Sequence, residues 1–109
     1  MADFYNDKEQ TSDVIEDSRA SIPPPSGIVI FFNDDYTTKE FVVDVLVSVF
    51  HKSESEANVL METVHKKGSS EIGIYSLDIA ETRAAITKSK AKEQGFPLQV
   101  KVKPIYLSF

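Results

Sequence analysis

The sequence predicts an α+β fold: a small three-stranded antiparallel sheet with three helices packed on one face, in the order β-α-α-β-α-β. Three observations carry this. Gly27-Ile28-Val29-Ile30-Phe31-Phe32 is a short, almost wholly apolar run rich in β-branched and aromatic residues, as a strand requires. Two later segments alternate apolar with small, polar or charged residues, around Ile72 and Ile74 and again at Leu98, Val100 and Val102. Between these lie three segments whose apolar positions recur at helical spacing, enough to cover one sheet face.

Taken in order, the first strand gives way to Asn33-Asp34-Asp35-Tyr36-Thr37, residues that favour turns. Thr37 is the expected cap of the first helix, with Glu40 three residues on in capping-box spacing. Phe41, Val42, Val45, Leu46, Val49 and Phe50 then form a wide apolar stripe, and the helix is expected to end near His51. There a cation would meet the negative end of the helix dipole, which makes His51 a structural residue.

Ser53 and Glu56 make a second capping box. Ala57, Leu60, Met61 and Val64 share one helical face until Gly68, a left-handed stop. Ile72 and Ile74 point to a half-buried strand. Ser76 caps the third helix, with Asp78 and Glu81 in its first turns and Gly95 beyond its end. Lys66 and Lys67, and likewise Lys88, Lys90 and Lys92, complement helix C-terminal dipoles. The last strand carries Gln99, Lys101 and Lys103 on its outer face, as an edge strand does.

The chain divides into two parts, a tail over residues 1–25 and one core domain over residues 26–109. At 109 residues with 41% hydrophobic content, one core can be filled. The tail holds Asp3, Asp7, Glu9, Asp13, Glu16 and Asp17 against Lys8 and Arg19, and so most of the net charge of −5. Its scattered apolar residues are too few to offset ordering entropy, so it is expected to be disordered. Pro23-Pro24-Pro25 follows as a stiff spacer.

Several functions are excluded or disfavoured. Cysteine is absent, so disulfides and thiolate metal sites cannot form. No apolar run approaches the roughly eighteen residues of a spanning helix, so no membrane partner is expected. The start of the chain lacks the basic-then-apolar pattern of a signal peptide, so the expected compartment is cytoplasmic. An acidic chain lacks the basic face that nucleic-acid binding needs. There is no Gly-rich phosphate loop and no nucleophile elbow, so an enzyme is not expected, and no cofactor is implied.

The chemistry concentrates at the strand-to-helix turn. Two carboxylates and an amide stand there, and His65 closes the second helix about thirty residues later. These residues can form a receptor for a cation, a metal site, or simply a turn. A metal site is the weakest of the three, because the side chains of adjacent Asp34 and Asp35 diverge in an extended turn and no further well-spaced ligand joins them and His65.

At these residues the chain resembles the bacterial adaptor family ClpS. Asn33-Asp34-Asp35-Tyr36-Thr37, Glu40-Phe41-Val42 and Asp44-Val45-Leu46 look like its signature. Leu60-Met61, Val64-His65, Gly68, Ala80-Glu81-Thr82 and Pro97-Leu98 fall at its spacings, so the resemblance runs from about Pro23 to Val102. It implies a monomeric adaptor of the N-end rule, which captures proteins by a free α-amino group and a bulky first residue (Leu, Phe, Tyr or Trp). It delivers them to a Clp AAA+ unfoldase–protease.

By the same resemblance, Asn33, Asp34 and His65 surround the substrate's α-amino group. Asp35, Thr37, Lys39, Val64 and Leu98 belong to the adjoining side-chain pocket, and Asp78 and Arg83 face the N-terminal domain of a ClpA-type unfoldase, which the tail also engages. Lys39 stands where the family usually carries a methionine guarding the pocket, Thr38 replaces a frequent proline, and Arg83 stands where lysine is common. The alternative is a non-catalytic α+β interaction module resembling the C-terminal domain of the ribosomal stalk protein. Such a module would have no reason to carry the Asn-Asp-Asp turn with a downstream histidine.

Overall fold

In the computed structural model, residues 24–106 are described. The expected disordered tail lies outside them except for Pro24 and Pro25, as does the end of the chain beyond Tyr106. The described elements are β1 (Ser26–Phe32), α1 (Lys39–Ser48), α2 (Glu54–Lys67), β2 (Ser69–Ser76), α3 (Leu77–Gln94) and β3 (Gln99–Ile105). β1 is central in a sheet of order β2-β1-β3, antiparallel to both neighbours. The expected fold class and element order are therefore observed.

β1 alternates strictly. Gly27, Val29 and Phe31 face the helices, Val29 and Phe31 being fully buried, while Ile28, Ile30 and Phe32 are half-buried on the opposite face. Lys101 places its ammonium 5.5 Å from the centroid of the Phe32 ring, so lysine methylenes and charge shield part of that outer face. α3 lies across β1 and β3, α2 rests on β2, and α1 packs on α2. The core they enclose includes Val29, Phe31, Val45, Leu46, Ala57, Val64, Ala80 and Val100.

The spacer is anchored at its last residue. The Pro25 carbonyl accepts from the Leu77 N–H at 2.9 Å, tying the entry of β1 to the first turn of α3.

Five local expectations need correction. Thr38, not Thr37, caps α1, its hydroxyl accepting from the Phe41 N–H at 3.1 Å, because Thr37 is already hydrogen-bonded to Asp34. α1 ends at Ser48 rather than near His51. Its final turn widens as Phe50 and Lys52 donate back to the Val45 and Leu46 carbonyls. His51 then takes a left-handed conformation (φ 58°), uncommon outside glycine. Of the three late lysines, only Lys92 stands in the last turn of α3. Ser76 occupies the cap position of α3 without a side-chain bond to the helix backbone, because its hydroxyl donates to the Asp78 carboxylate instead.

The fifth correction concerns Ile72 and Ile74, which do not share a face. Val29 pairs with Gly73 and Ile30 with Glu71, so Ile72 is the extra residue of a β-bulge. The bulge turns Ile72 into the core, 4% exposed, and leaves Ile74 62% exposed beside Ile28. The other caps form as expected: Ser53 accepts from the Glu56 N–H at 3.1 Å, and Gly68 and Gly95 close α2 and α3 at φ 90° and 76°.

Gly27 owes its identity to close packing, since a Cβ there would lie 2.8 Å from Val102 Cγ1 and 2.9 Å from Ala80 Cβ. Gly27→Ala is therefore expected to destabilise the fold by about 1–3 kcal/mol, read from urea unfolding. An unchanged midpoint would show that β3 and α3 move apart freely at this crossing.

Candidate functional site

One backbone hydrogen bond assembles the site. As β1 ends, the Asn33 N–H donates to the Gly68 carbonyl at 2.9 Å, one residue beyond the Phe32–Ser69 strand pair. Gly68 is the left-handed stop of α2 and donates its own N–H to the Val64 carbonyl. The turn after β1 is thus held against the last turn of α2, where Val64 is buried and His65 exposed.

Asp34 organises the turn itself. Its Oδ1 accepts from the N–H groups of Tyr36 (2.8 Å) and Thr37 (2.7 Å), and its Oδ2 accepts from the Thr37 hydroxyl (2.7 Å). Burial pushes the Asp34 carboxyl up. The Thr37 hydroxyl and the two backbone N–H groups outweigh this and hold it below the ordinary carboxylate value. A carboxylate offers about four lone-pair sites, so roughly one stays free for another donor.

The turn and the two helices enclose a cavity of about 240 Å³. Its polar side is Asn33, Asp34, Asp35, Thr37 and His65, and its apolar lining is Val42, Met61 and Val64. Lys39 completes the wall and points its ammonium at Glu62, 3.8 Å away, with both side chains about half exposed (50% and 43%). Of the residues singled out for the amine and side-chain sites, only Leu98 does not line the cavity. It is 7% exposed, just before β3.

Val42 and Met61 are lining residues that helical periodicity alone assigns to the core. A signal was present. Val42 is one helical turn from Lys39, and Met61 is one turn from both Val64 and His65.

Asp78 and Arg83 stand elsewhere, in a second concavity of about 500 Å³ that shares no lining residue with the first. Asp78 Oδ1 accepts from the Ser76 hydroxyl and the Ile79 N–H, each at 3.1 Å. The Arg83 guanidinium lies 5.0 Å from the centroid of the Tyr75 ring, and Ile79 and Ile86 supply exposed apolar surface. His51 also lines this concavity. Among the described residues no group of three His, Asp or Glu is placed to hold a metal ion, and no helix is long and apolar enough to cross a membrane.

The small cavity presents acceptors on one side and aliphatic surface on the other. Such a site suits a cation joined directly to an apolar group.

The Asp34 bonds have a sign-definite consequence. Because its folded carboxyl titrates below the unfolded one, the stability it contributes is complete above about pH 3.9 and is lost as the pH falls through the lower folded value. Thr37→Val removes one lowering bond and should raise the Asp34 titration midpoint, as followed by carboxyl-carbon NMR. Identical midpoints in the two proteins would remove the hydroxyl as a cause.

Comparison with known proteins agrees with this architecture. The family described as ATP-dependent Clp protease adaptor protein ClpS matches residues 23–101. The ATP-dependent Clp protease adapter protein ClpS of Treponema denticola is 47% identical over 88 residues, covering 81% of this chain and 87% of its own length. That of Nitratidesulfovibrio vulgaris strain DP4 is 41% identical over 88 residues, covering 81% and 84%. The solved structure of Agrobacterium tumefaciens ClpS2 bound to L-phenylalaninamide superposes with a TM-score of 0.72 at 41% identity, over 75% of this chain and 99% of that one. The stalk-like alternative finds no support here. With the family match running from residue 23 to 101, through β1, all three helices and β2 into the start of β3, the chain belongs to the ClpS family of Clp protease adaptors.

Proposed function

We propose that this adaptor captures proteins through a free α-amino group and a bulky apolar first side chain, and presents them to a Clp AAA+ unfoldase–protease. The observation that carries the reading is the single cavity in which Asn33, Asp34 and His65 meet Val42, Met61 and Val64. A free α-amino group has a pKa of about 8 and is mostly cationic at neutral pH. Its three N–H donors suit the Asn33 amide oxygen, a neutral imidazole nitrogen of His65, and the charge and remaining lone pair of Asp34. Each charge-assisted bond contributes about 1.5–3 kcal/mol.

The apolar lining then takes the first side chain, worth about 1.5–3 kcal/mol by transfer. Asp35 and Thr37 shape the polar edge of that pocket. Leu98 belongs to the core and is absent from the lining. L-Phenylalaninamide, the molecule bound by the Agrobacterium protein, carries a free amine beside a benzyl group, which is the chemistry required here.

Delivery needs a second surface. Asp78 and Arg83 line the other concavity, and we assign to them the contact with the N-terminal domain of a ClpA-type unfoldase. The Tyr75 ring under Arg83 fixes the direction of that charge.

Fluorescence anisotropy with peptides that differ only in the first residue tests the reading. Leu-, Phe-, Tyr- and Trp-initiated peptides are expected to bind, and their acetylated forms to lose at least about tenfold in affinity as buried acceptors go unpaired. Equal binding of free and acetylated peptides would overturn it. Lys39→Met should strengthen binding of Phe- and Leu-initiated peptides several-fold, because an ammonium leaves the neighbourhood of the substrate amine. Unchanged affinity would show that Glu62 already neutralises its effect.

A further inference from the structure

We propose that the outer face of the sheet, opposite the helices, docks the acidic tail of this same chain through Asp13-Val14-Ile15-Glu16-Asp17. The docking does not depend on the proposed capture of a free N-terminus. An antiparallel sheet with one solvated face ordinarily alternates apolar inward with polar outward. β1 departs from that pattern, because its outward residues are Ile28, Ile30 and Phe32. Ile74 of β2 pairs with Ile28 and is 62% exposed. Among the described elements, the helices pack on the other face, around Val29 and Phe31, and leave this stripe uncovered.

Charge borders the stripe unevenly. Across the β1–β3 ladder Lys103 pairs with Ile28 and Lys101 with Ile30, and both lysines are exposed. Lys101 holds its ammonium 5.5 Å from the centroid of the Phe32 ring, over the stripe itself. On the other side Glu71 of β2 pairs with Ile30, so an acidic occupant would lie toward β3. The face therefore suits a segment whose apolar residues are flanked by carboxylates.

The tail supplies such a segment. Within residues 1–22, six acids outnumber Lys8 and Arg19, and Val14-Ile15 is bracketed by Asp13, Glu16 and Asp17. These residues lie outside the described ones, but their reach follows from chain length. Asp13 to Asp17 spans about 13 Å when extended, as does Ile28 to Phe32. From Asp17 to Pro24 a further 23 Å or so allows the chain to leave the sheet at Ser26 and return over it. Tethering keeps the segment at a local concentration of about millimolar, so weak contacts suffice. A second copy would instead bring the same two lysines against these. A tail seated here is withheld from an unfoldase, so its release would become a step in delivery.

The chain has no cysteine, so Ser12→Cys in the full chain accepts a single nitroxide label. At about 0.05 M salt the amide signals of Ile28, Ile30 and Lys101 should weaken at least about twofold, and recover near 0.5 M salt. Those of Asn58 and Thr63, exposed on α2, should keep their intensity. The weakening should also fade when Asp13→Asn, Glu16→Gln and Asp17→Asn are combined, and in Lys101→Gln with Lys103→Gln. No loss on the sheet, or equal loss on sheet and α2, would overturn the docking. Loss undiminished in both variants would overturn it too, since charge would not select the segment. Weakening of the same sheet signals in an unlabelled copy mixed with the nitroxide-bearing one would assign the face to a second molecule, and the proposal would fall.

Discussion

The hydrogen bond from the Asn33 N–H to the Gly68 carbonyl is the constraint on which the site depends. It joins the exit of the central strand to the exit of α2, two points thirty-five residues apart in the chain. A left-handed Gly68 is needed for it, because the chain must reverse out of α2 directly into β2, with Ser69 opposite Phe32. Once this junction closes, His65 and Val64 on the last turn of α2 are carried to the Asn-Asp-Asp turn. Asp34 does the complementary work from within that turn, committing three acceptor positions to Tyr36 and Thr37 so that the loop has a definite shape before any ligand arrives. Pre-organisation of this kind lowers the ordering cost of binding.

Features settled by neighbours in sequence are legible without the fold. Ser53, Gly68 and Gly95 act within one turn of their own helix, and the spacing of each gives its role correctly. Where two local partners compete, spacing alone misleads. Thr37 and Thr38 are both able to cap α1, and the choice is made by Asp34, whose carboxylate claims the hydroxyl and N–H of Thr37. The bulge at Ile72 is a longer-range case. Strand alternation assigns Ile72 and Ile74 to one face, and only the pairing with Val29 and Ile30 shows the inserted residue. Gly73 beside it has no room for a Cβ, which would lie 2.6 Å from the Tyr75 hydroxyl oxygen, so the bulge and the ring are built around each other.

The polar half of the candidate site is visible in the sequence, and the apolar half is not. Carboxylates, an amide and an imidazole near one another are rare enough to be noticed. Val42 and Met61 are not, because an apolar residue at helical spacing reads the same whether it lines a cavity or fills a core. Met61 is only 8% exposed and Val42 only 6%, so burial does not separate the two roles either. Leu98 shows the converse: the resemblance places it in the pocket, while its side chain is part of the core and absent from the lining. The geometry of the cavity, rather than the residue types, makes the distinction.

Lys39 sets the electrostatics of the whole face. It lines both the cavity at the Asn-Asp-Asp turn and a groove between α1 and α2. Its pairing with Glu62 turns that charge aside, yet the pair is long at 3.8 Å and half exposed. Such a pair contributes at most about 1 kcal/mol. Lys39 is therefore displaceable rather than fixed. Its methylenes cover the cavity wall, while its ammonium is held only by the exposed pair with Glu62.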